Sequence, residues 1–219
     1  MAAKKGRGQA GGKPGQKKRQ GQRWDDHYTH KAKSDGFAAR SVYKLSEIDK
    51  RRKLFKPGQR ILDLGCHPGS WSKYAAQSIA PDGLVIGVDR NPTTPPHPNV
   101  KTITSDIFNL NADFKQDAPQ GFHAVLSDLA PDTTGIRDVD EARSLELAQR
   151  ALEIAHKNLR PNGFFVVKIF QGPDFKPWLE EAKKLFSTHN IIRPDATRKK
   201  SREIFVLLAG FRGQSAVEG

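Results

Sequence analysis

The sequence predicts an α/β fold: one mostly parallel sheet with helices on both faces. Three observations carry this. Short apolar runs alternate with helix-period segments from residue 60 onward. A turn containing two glycines joins the first strand to a helix, and acidic residues stand where several strands end. Strands alternating with helices build a doubly wound sheet, whose ligand lies across the C-terminal ends of the strands.

The organising stretch is Ile61-Leu62-Asp63-Leu64, then Gly65-Cys66-His67-Pro68-Gly69, then a helix-like run from Trp71 to Ile79. Glycines let a backbone approach a ligand closely, and a helix N-terminus offers unpaired N–H groups to an anion. The spacing is Gly-x-x-x-Gly, and no Gly-Lys-Ser/Thr follows. Neither the dinucleotide fingerprint nor the P-loop is present. A nucleoside ligand carrying a carboxylate suits this turn better than one carrying phosphates.

The chain has 219 residues, a size suited to one α/β domain with extensions. Its net charge is +13, and residues 1–23 hold eight Lys/Arg, six Gly and no acid. That stretch reads as a flexible basic arm, because Gly and Lys at this density bury too little apolar surface to offset ordering entropy. Without the arm the chain still carries +5. Two basic parts favour a polyanionic partner. The arm lacks the large apolar residues of an amphipathic targeting peptide, and no apolar run reaches the ~18 residues that span a membrane. A lone cysteine, Cys66, excludes an intrachain disulfide and fits a reducing, cytoplasmic setting. No Cys/His cluster supports a metal site, so none is expected.

In chain order, Trp24, His27, Tyr28 and Phe37 lie among Arg23, Lys31, Lys33 and Arg40. Such aromatics either stack bases beside phosphate-binding cations or pin the segment onto the domain. Ser41 to Arg51 reads as a helix: Val42, Leu45 and Ile48 share a face, Lys44 lies beside it, and Ser41 is placed to cap it. Strands follow at Arg60–Leu64, Leu84–Val88, Val100–Thr104 and Phe122–Ser127. A long helix over Glu141–Leu159 repeats Leu145, Ala148, Leu152 and Ala155 at helical steps. Pro161-Asn162-Gly163 is a turn before a strand at Phe164–Phe170, and Pro177 starts a helix running to Phe186. His189–Arg193 and Glu203–Ala209 are the last strands. Only a loop separates them, so one runs antiparallel to the rest. The domain spans residues 24–212, with residues 213–219 as a disordered end.

Three acids, Asp89, Asp106 and Asp128, close strands on one layer. An acid 24 residues beyond Gly65 can accept from both ribose hydroxyls, and the next can meet an adenine amino group. Lys168 is anomalous: Gly-Phe-Phe-Val-Val-Lys-Ile-Phe is apolar on both sides of it. A lysine in a buried strand is costly unless paired or functional. Glu203 follows Arg198-Lys199-Lys200-Ser201-Arg202, where it either neutralises its neighbours or is held toward the site.

These residues coincide with a known pattern. Ser41-Val42-Tyr43-Lys44-Leu45, Asp63-Leu64-Gly65 with Pro68-Gly69 and Trp71-Ser72, Ser127-Asp128-Leu129-Ala130-Pro131, Val166-Val167-Lys168 with Phe170-Gln171-Gly172, and Lys200-Ser201-Arg202-Glu203 stand in order. In this the chain resembles the FtsJ/RrmJ-type ribosomal RNA 2′-O-methyltransferases over about residues 24–212. The resemblance implies a Rossmann-like methyltransferase with a seven-stranded sheet, S-adenosyl-L-methionine as cofactor, and a uridine of large-subunit ribosomal RNA as substrate. It further implies a monomer acting on the large ribosomal subunit. It puts the catalytic tetrad on Lys44, Asp128, Lys168 and Glu203, with Lys168 as proton acceptor. The cofactor contacts fall on Gly69, Trp71, Asp89, Asp106 and Asp128. Cys66-His67 and Ser70 are larger than the family's usual residues, with His67 bulky enough to crowd the methionine end. The loop Asp132-Thr133-Thr134-Gly135 also departs from the usual Asn-Met-Ser-Gly type.

In the implied reaction a ribose 2′-hydroxyl attacks an activated methyl in line, so the protein must align the oxygen and manage its proton. Burial and Lys44 would favour a neutral Lys168, while Asp128 and Glu203 would keep it charged and suited to stabilising an alkoxide. The rival readings are a nucleotide-dependent oxidoreductase, disfavoured by the missing fingerprint, and a non-catalytic RNA-binding assembly module. Transfer RNA and messenger RNA caps are the alternative substrates.

Overall fold

The computed structural model describes residues 20–198 and 201–213. The expected arm up to residue 19, Lys199-Lys200 and the end from residue 214 lie outside the described residues.

The domain is built on a seven-stranded sheet: β1 (Arg60–Leu64), β2 (Leu84–Asp89), β3 (Val100–Thr104), β4 (Phe122–Ser127), β5 (Leu159–Phe170), β6 (Phe186–Ile192) and β7 (Glu203–Phe211). Its order is β3-β2-β1-β4-β5-β7-β6. β7 runs antiparallel to both β5 and β6, as expected for strands joined by a loop alone. The helices are α1 (Gln20–Ser34), α2 (Val42–Arg52), α3 (Ser70–Ile79), α4 (Arg137–Asn158) and α5 (Phe175–Lys184).

Near-continuous apolar strands reflect burial on both faces. One face packs Ile61, Val85, Leu126, Val166 and Phe205 against Leu45 and Ile48 of α2 and Trp71, Ala75 and Ile79 of α3. The other packs Leu62, Val88, Val125, Val167 and Val206 against α4 and α5. Two crossovers lack helices. Between β2 and β3, Pro92, Pro95, Pro96 and Pro98 forbid one. Between β3 and β4, Ile107, Phe114 and Ala118 from irregular chain fill the α4 side instead.

The expected boundaries shift at several points. α1 takes in the last residues, 20–23, of the expected arm. α4 begins at Arg137, not Glu141, because the Asp140 carboxylate accepts the N–H groups of Thr134 and Gly135 and so fixes the helix start. Pro161-Asn162-Gly163 is an irregularity inside β5, with Asn162 at φ +63°, rather than a turn before it. Phe186 belongs to β6: it pairs with Phe211 of β7, and the two rings pack 5.4 Å apart. Ser41 precedes α2 but makes no side-chain cap. Its carbonyl instead accepts the Trp71 indole N–H at 2.9 Å.

Candidate active site

The turn after β1 has the backbone that glycine permits. Gly65 has φ +80°, and a Cβ there would stand 2.9 Å from the Leu129 side chain. Gly69, at φ +101°, occupies the N-cap of α3. Beyond this turn the C-terminal ends of β1 to β4 surround a cavity of about 560 Å³, lined among others by Gly65, His67, Asp89, Asp106 and Asp128. That volume is in the range of a cofactor pocket.

Of the expected cofactor residues, the three acids meet at this cavity. Asp89 is fixed through both oxygens, accepting the His67 N–H at 3.0 Å and the Asn91 N–H at 2.8 Å. Asp106 accepts the Phe108 N–H at 2.9 Å. Gly69 and Trp71 are buried and are not among the residues that line this cavity. The Trp71 ring packs 5.8 Å from Phe205. Gly69 and Trp71 both belong to the start of α3, where a helix leaves N–H groups unpaired.

The four tetrad candidates form two largely buried ion pairs. Lys168 Nζ donates to the backbone carbonyl of Asp128 at 2.7 Å and lies 3.0 Å from its carboxylate. Lys44, from α2, reaches Glu203 at 2.6 Å. Lys168 is opposite Phe205 in the antiparallel ladder, and Phe170 is opposite Glu203. Directly opposed residues share a face, so Lys168 and Glu203 both point to the α2 side. Phe205 links the pairs, with the Lys44 ammonium 5.8 Å from its ring centroid. Glu203 therefore does not merely neutralise the basic run before it.

The residues that depart from the family pattern each have a place. The buried Ser70 hydroxyl accepts the Ala39 N–H at 2.7 Å, hanging the segment before α2 on the start of α3. The exposed His67 ring lies 3.2 Å from the Thr93 hydroxyl, on the β2 side of the cavity. Cys66 is buried, and burial pushes its thiol up to about 12, which leaves little thiolate for chemistry. Asp132 forms an exposed ion pair with Arg90, whose guanidinium holds the carboxyl below the usual range.

Sequence reasoning missed Asp63 as an ionisable group. It is fully buried in β1, and Ser72 of α3 donates to one carboxylate oxygen at 2.5 Å. Burial is the main cause that raises its carboxyl to about 7, with the charges of Asp128 and Asp89 adding to the effect. The available signal was an acid inside an apolar run, two residues before Gly65.

The class of protein follows from the fold and this layer of acids. The dinucleotide-binding sheet runs 3-2-1-4-5-6 with all strands parallel; here an antiparallel β7 is inserted before β6. The same fold is found in a Plasmodium falciparum protein described as a ribosomal RNA methyltransferase, with a TM-score of 0.72 and 26% identity over 81% of this chain and 100% of that one. It is also found in Aeropyrum pernix fibrillarin, solved with S-adenosyl-L-methionine bound, with a TM-score of 0.54 and 17% identity over 77% and 76% of the two chains. The chain is a Rossmann-like, S-adenosyl-L-methionine-dependent methyltransferase. Residues 37–211 match the FtsJ-like methyltransferase family, and the chain belongs to it. Among its relatives, a Desulfatibacillum aliphaticivorans protein named ribosomal RNA large subunit methyltransferase E is 49% identical over 89% of this chain and 94% of its own length. A Bdellovibrio bacteriovorus protein of the same name is 48% identical over 83% and 94%.

Proposed function

We propose that this chain methylates the ribose 2′-hydroxyl of a uridine in 23S ribosomal RNA, on the assembled large subunit. The names of its relatives and its net charge of +13 support that substrate. The observation that carries the chemistry is the buried Lys168 amine, held by Asp128 where the cavity-lining strand ends converge.

S-adenosyl-L-methionine, when bound, supplies a methyl already activated by its sulfonium. The residues present fit it: Asp89 would hold the ribose diol, Asp106 the adenine amino group, and the start of α3 at Gly69 and Trp71 the carboxylate. Lys168 governs the hydroxyl proton. One of its positions is taken by the Asp128 carbonyl, and the Asp128 carboxylate lies 3.0 Å away as its ion-pair partner. A neutral amine so held presents its lone pair and accepts the proton; an ammonium presents a remaining N–H and stabilises the developing alkoxide. Lys44 and Glu203 form the second pair beside it. The protein acts as a monomer in the cytoplasm; among the described residues no helix is long and apolar enough to cross a membrane.

The test offers radiolabelled cofactor with large subunits isolated from a strain lacking the enzyme, free 23S RNA, transfer RNA and capped messenger RNA, followed by mapping of the labelled nucleotide. Label on a uridine 2′-oxygen in the large subunit is expected. Preferential labelling of transfer RNA or caps would replace the substrate assignment, and RNA binding without transfer would reduce the chain to a binding module.

A further inference from the structure

Glu141 is a buried acid that the reaction described above does not use. It lies in the second turn of α4, on the sheet face opposite Lys44, and does not line the cofactor cavity. An acid in such a place is costly unless it is paired. Its partners are Arg137, one turn earlier, at 3.0 Å, and Arg202, the residue immediately before Glu203.

The chain around Glu141 is tied at several further points. The Gln171 N–H donates to the Arg202 carbonyl at 3.0 Å, which extends the β5–β7 ladder past Phe170 and Glu203. The Phe170 N–H donates to the Ser144 hydroxyl of α4 at 2.9 Å. Gly172 rests on the carboxylate itself: a Cβ there would stand 2.7 Å from Glu141 Oε2. The strand ends bearing Lys168 and Glu203 are thus both fastened to one helix, with Glu141 gripping the second of them through Arg202.

We infer that Glu141 is a positioning residue for methyl transfer: by holding Arg202 from the far side of the sheet, it sets where the Glu203 carboxylate meets Lys44. The inference rests on the tetrad reading. Without that grip the start of β7 would keep its ladder bond to Gln171 but lose its own side-chain tie to α4, and displacements of about 1 Å in a reacting constellation cost up to roughly a hundredfold in rate.

Single-turnover methyl transfer, cofactor affinity and thermal unfolding of Glu141→Gln, Glu203→Gln and the double variant test it. Glu141→Gln should lower the transfer rate about ten- to hundredfold with cofactor affinity unchanged, and should add little further loss in the Glu203→Gln background, because both changes act through one carboxylate. Gly172→Ala is the second variant, should Glu141→Gln not fold. It keeps every charge but pushes a methyl against the carboxylate, and the same rate loss at unchanged cofactor affinity is expected. A folded Glu141→Gln or Gly172→Ala at the parent rate, or losses that simply add in the double variant, overturns the inference while leaving the tetrad standing. Glu203→Gln at the parent rate overturns the tetrad reading, and the inference with it.

Discussion

Lys168 is held by a backbone carbonyl as well as by a charge, so its aim does not depend on the Asp128 side chain alone. Lys168→Ala should cut transfer by about a hundredfold or more, the scale of lost acid–base catalysis, with cofactor and RNA affinity retained. Lys168→Arg keeps the charge but cannot release a proton near neutral pH. Single-turnover rates separate the roles: activity in Lys168→Arg selects charge stabilisation, and loss in both variants favours proton transfer. Asp89 is oriented by two backbone N–H groups. Calorimetry on Asp89→Ala should show S-adenosyl-L-methionine affinity reduced by roughly ten- to hundredfold, the equivalent of about 1.5–3 kcal/mol; unchanged affinity in a folded variant would remove Asp89 from the site. Asp63 behaves differently. Its carboxyl is raised to about 7 in the fold, above the ordinary aspartate value, so the folded state binds a proton that the unfolded chain has released. Its contribution is most favourable at low pH and is lost as pH rises from the ordinary range through about 7. Thermal unfolding of the cofactor-free protein should therefore show Asp63→Asn gaining on the parent as pH rises across that window; a difference independent of pH would refute the assignment.

Among the elements, α2 and α3 carry residues to the site from outside the sheet, and their mutual placement sets the reach of Lys44. Three bonds help fix it: the Trp71 indole to the Ser41 carbonyl, the Ala39 N–H to the Ser70 hydroxyl, and the Tyr74 hydroxyl to the Asp49 carboxylate. Ser70→Ala leaves the Ala39 donor without that partner. A loss of about 1–2 kcal/mol in denaturant unfolding is expected, and an unchanged midpoint would show that the hydroxyl bears no load. The same elements show how far the chain could be read in advance. Val42, Leu45 and Ile48 announce α2 by period alone, and β1, β3 and β4 have the boundaries their apolar runs predict. The starts of α4 and β6 are set by Asp140 bonding back to the loop and by Phe186 packing on Phe211, neither of which a local pattern displays.

At the scale of the whole molecule, charge and site are separable. Lys4, Lys5, Arg7, Lys13, Lys17, Lys18 and Arg19 precede the described domain with no acid among them. Removing residues 1–19 should weaken binding to large subunits and flatten its salt dependence by the number of those cations that meet phosphate, while cofactor affinity stays the same. Filter binding across a salt series measures both quantities. An unaltered slope would make the segment irrelevant to RNA.

The sequence by itself determined the class of fold, the glycine turn, the layer of acids and the odd lysine. Those features are local: an apolar period, a residue type a turn requires, or a charge where a strand should be apolar. Only the tertiary structure decided how they combine. Lys44 and Glu203 are 159 positions apart in the chain and meet because α2 packs on the face to which the β7 register directs Glu203. The burial of Asp63 and the grip of Glu141 on Arg202 likewise depend on which helix covers which face. Ion pairing and desolvation act through space between residues distant in the chain, and neither leaves a period in the sequence to read.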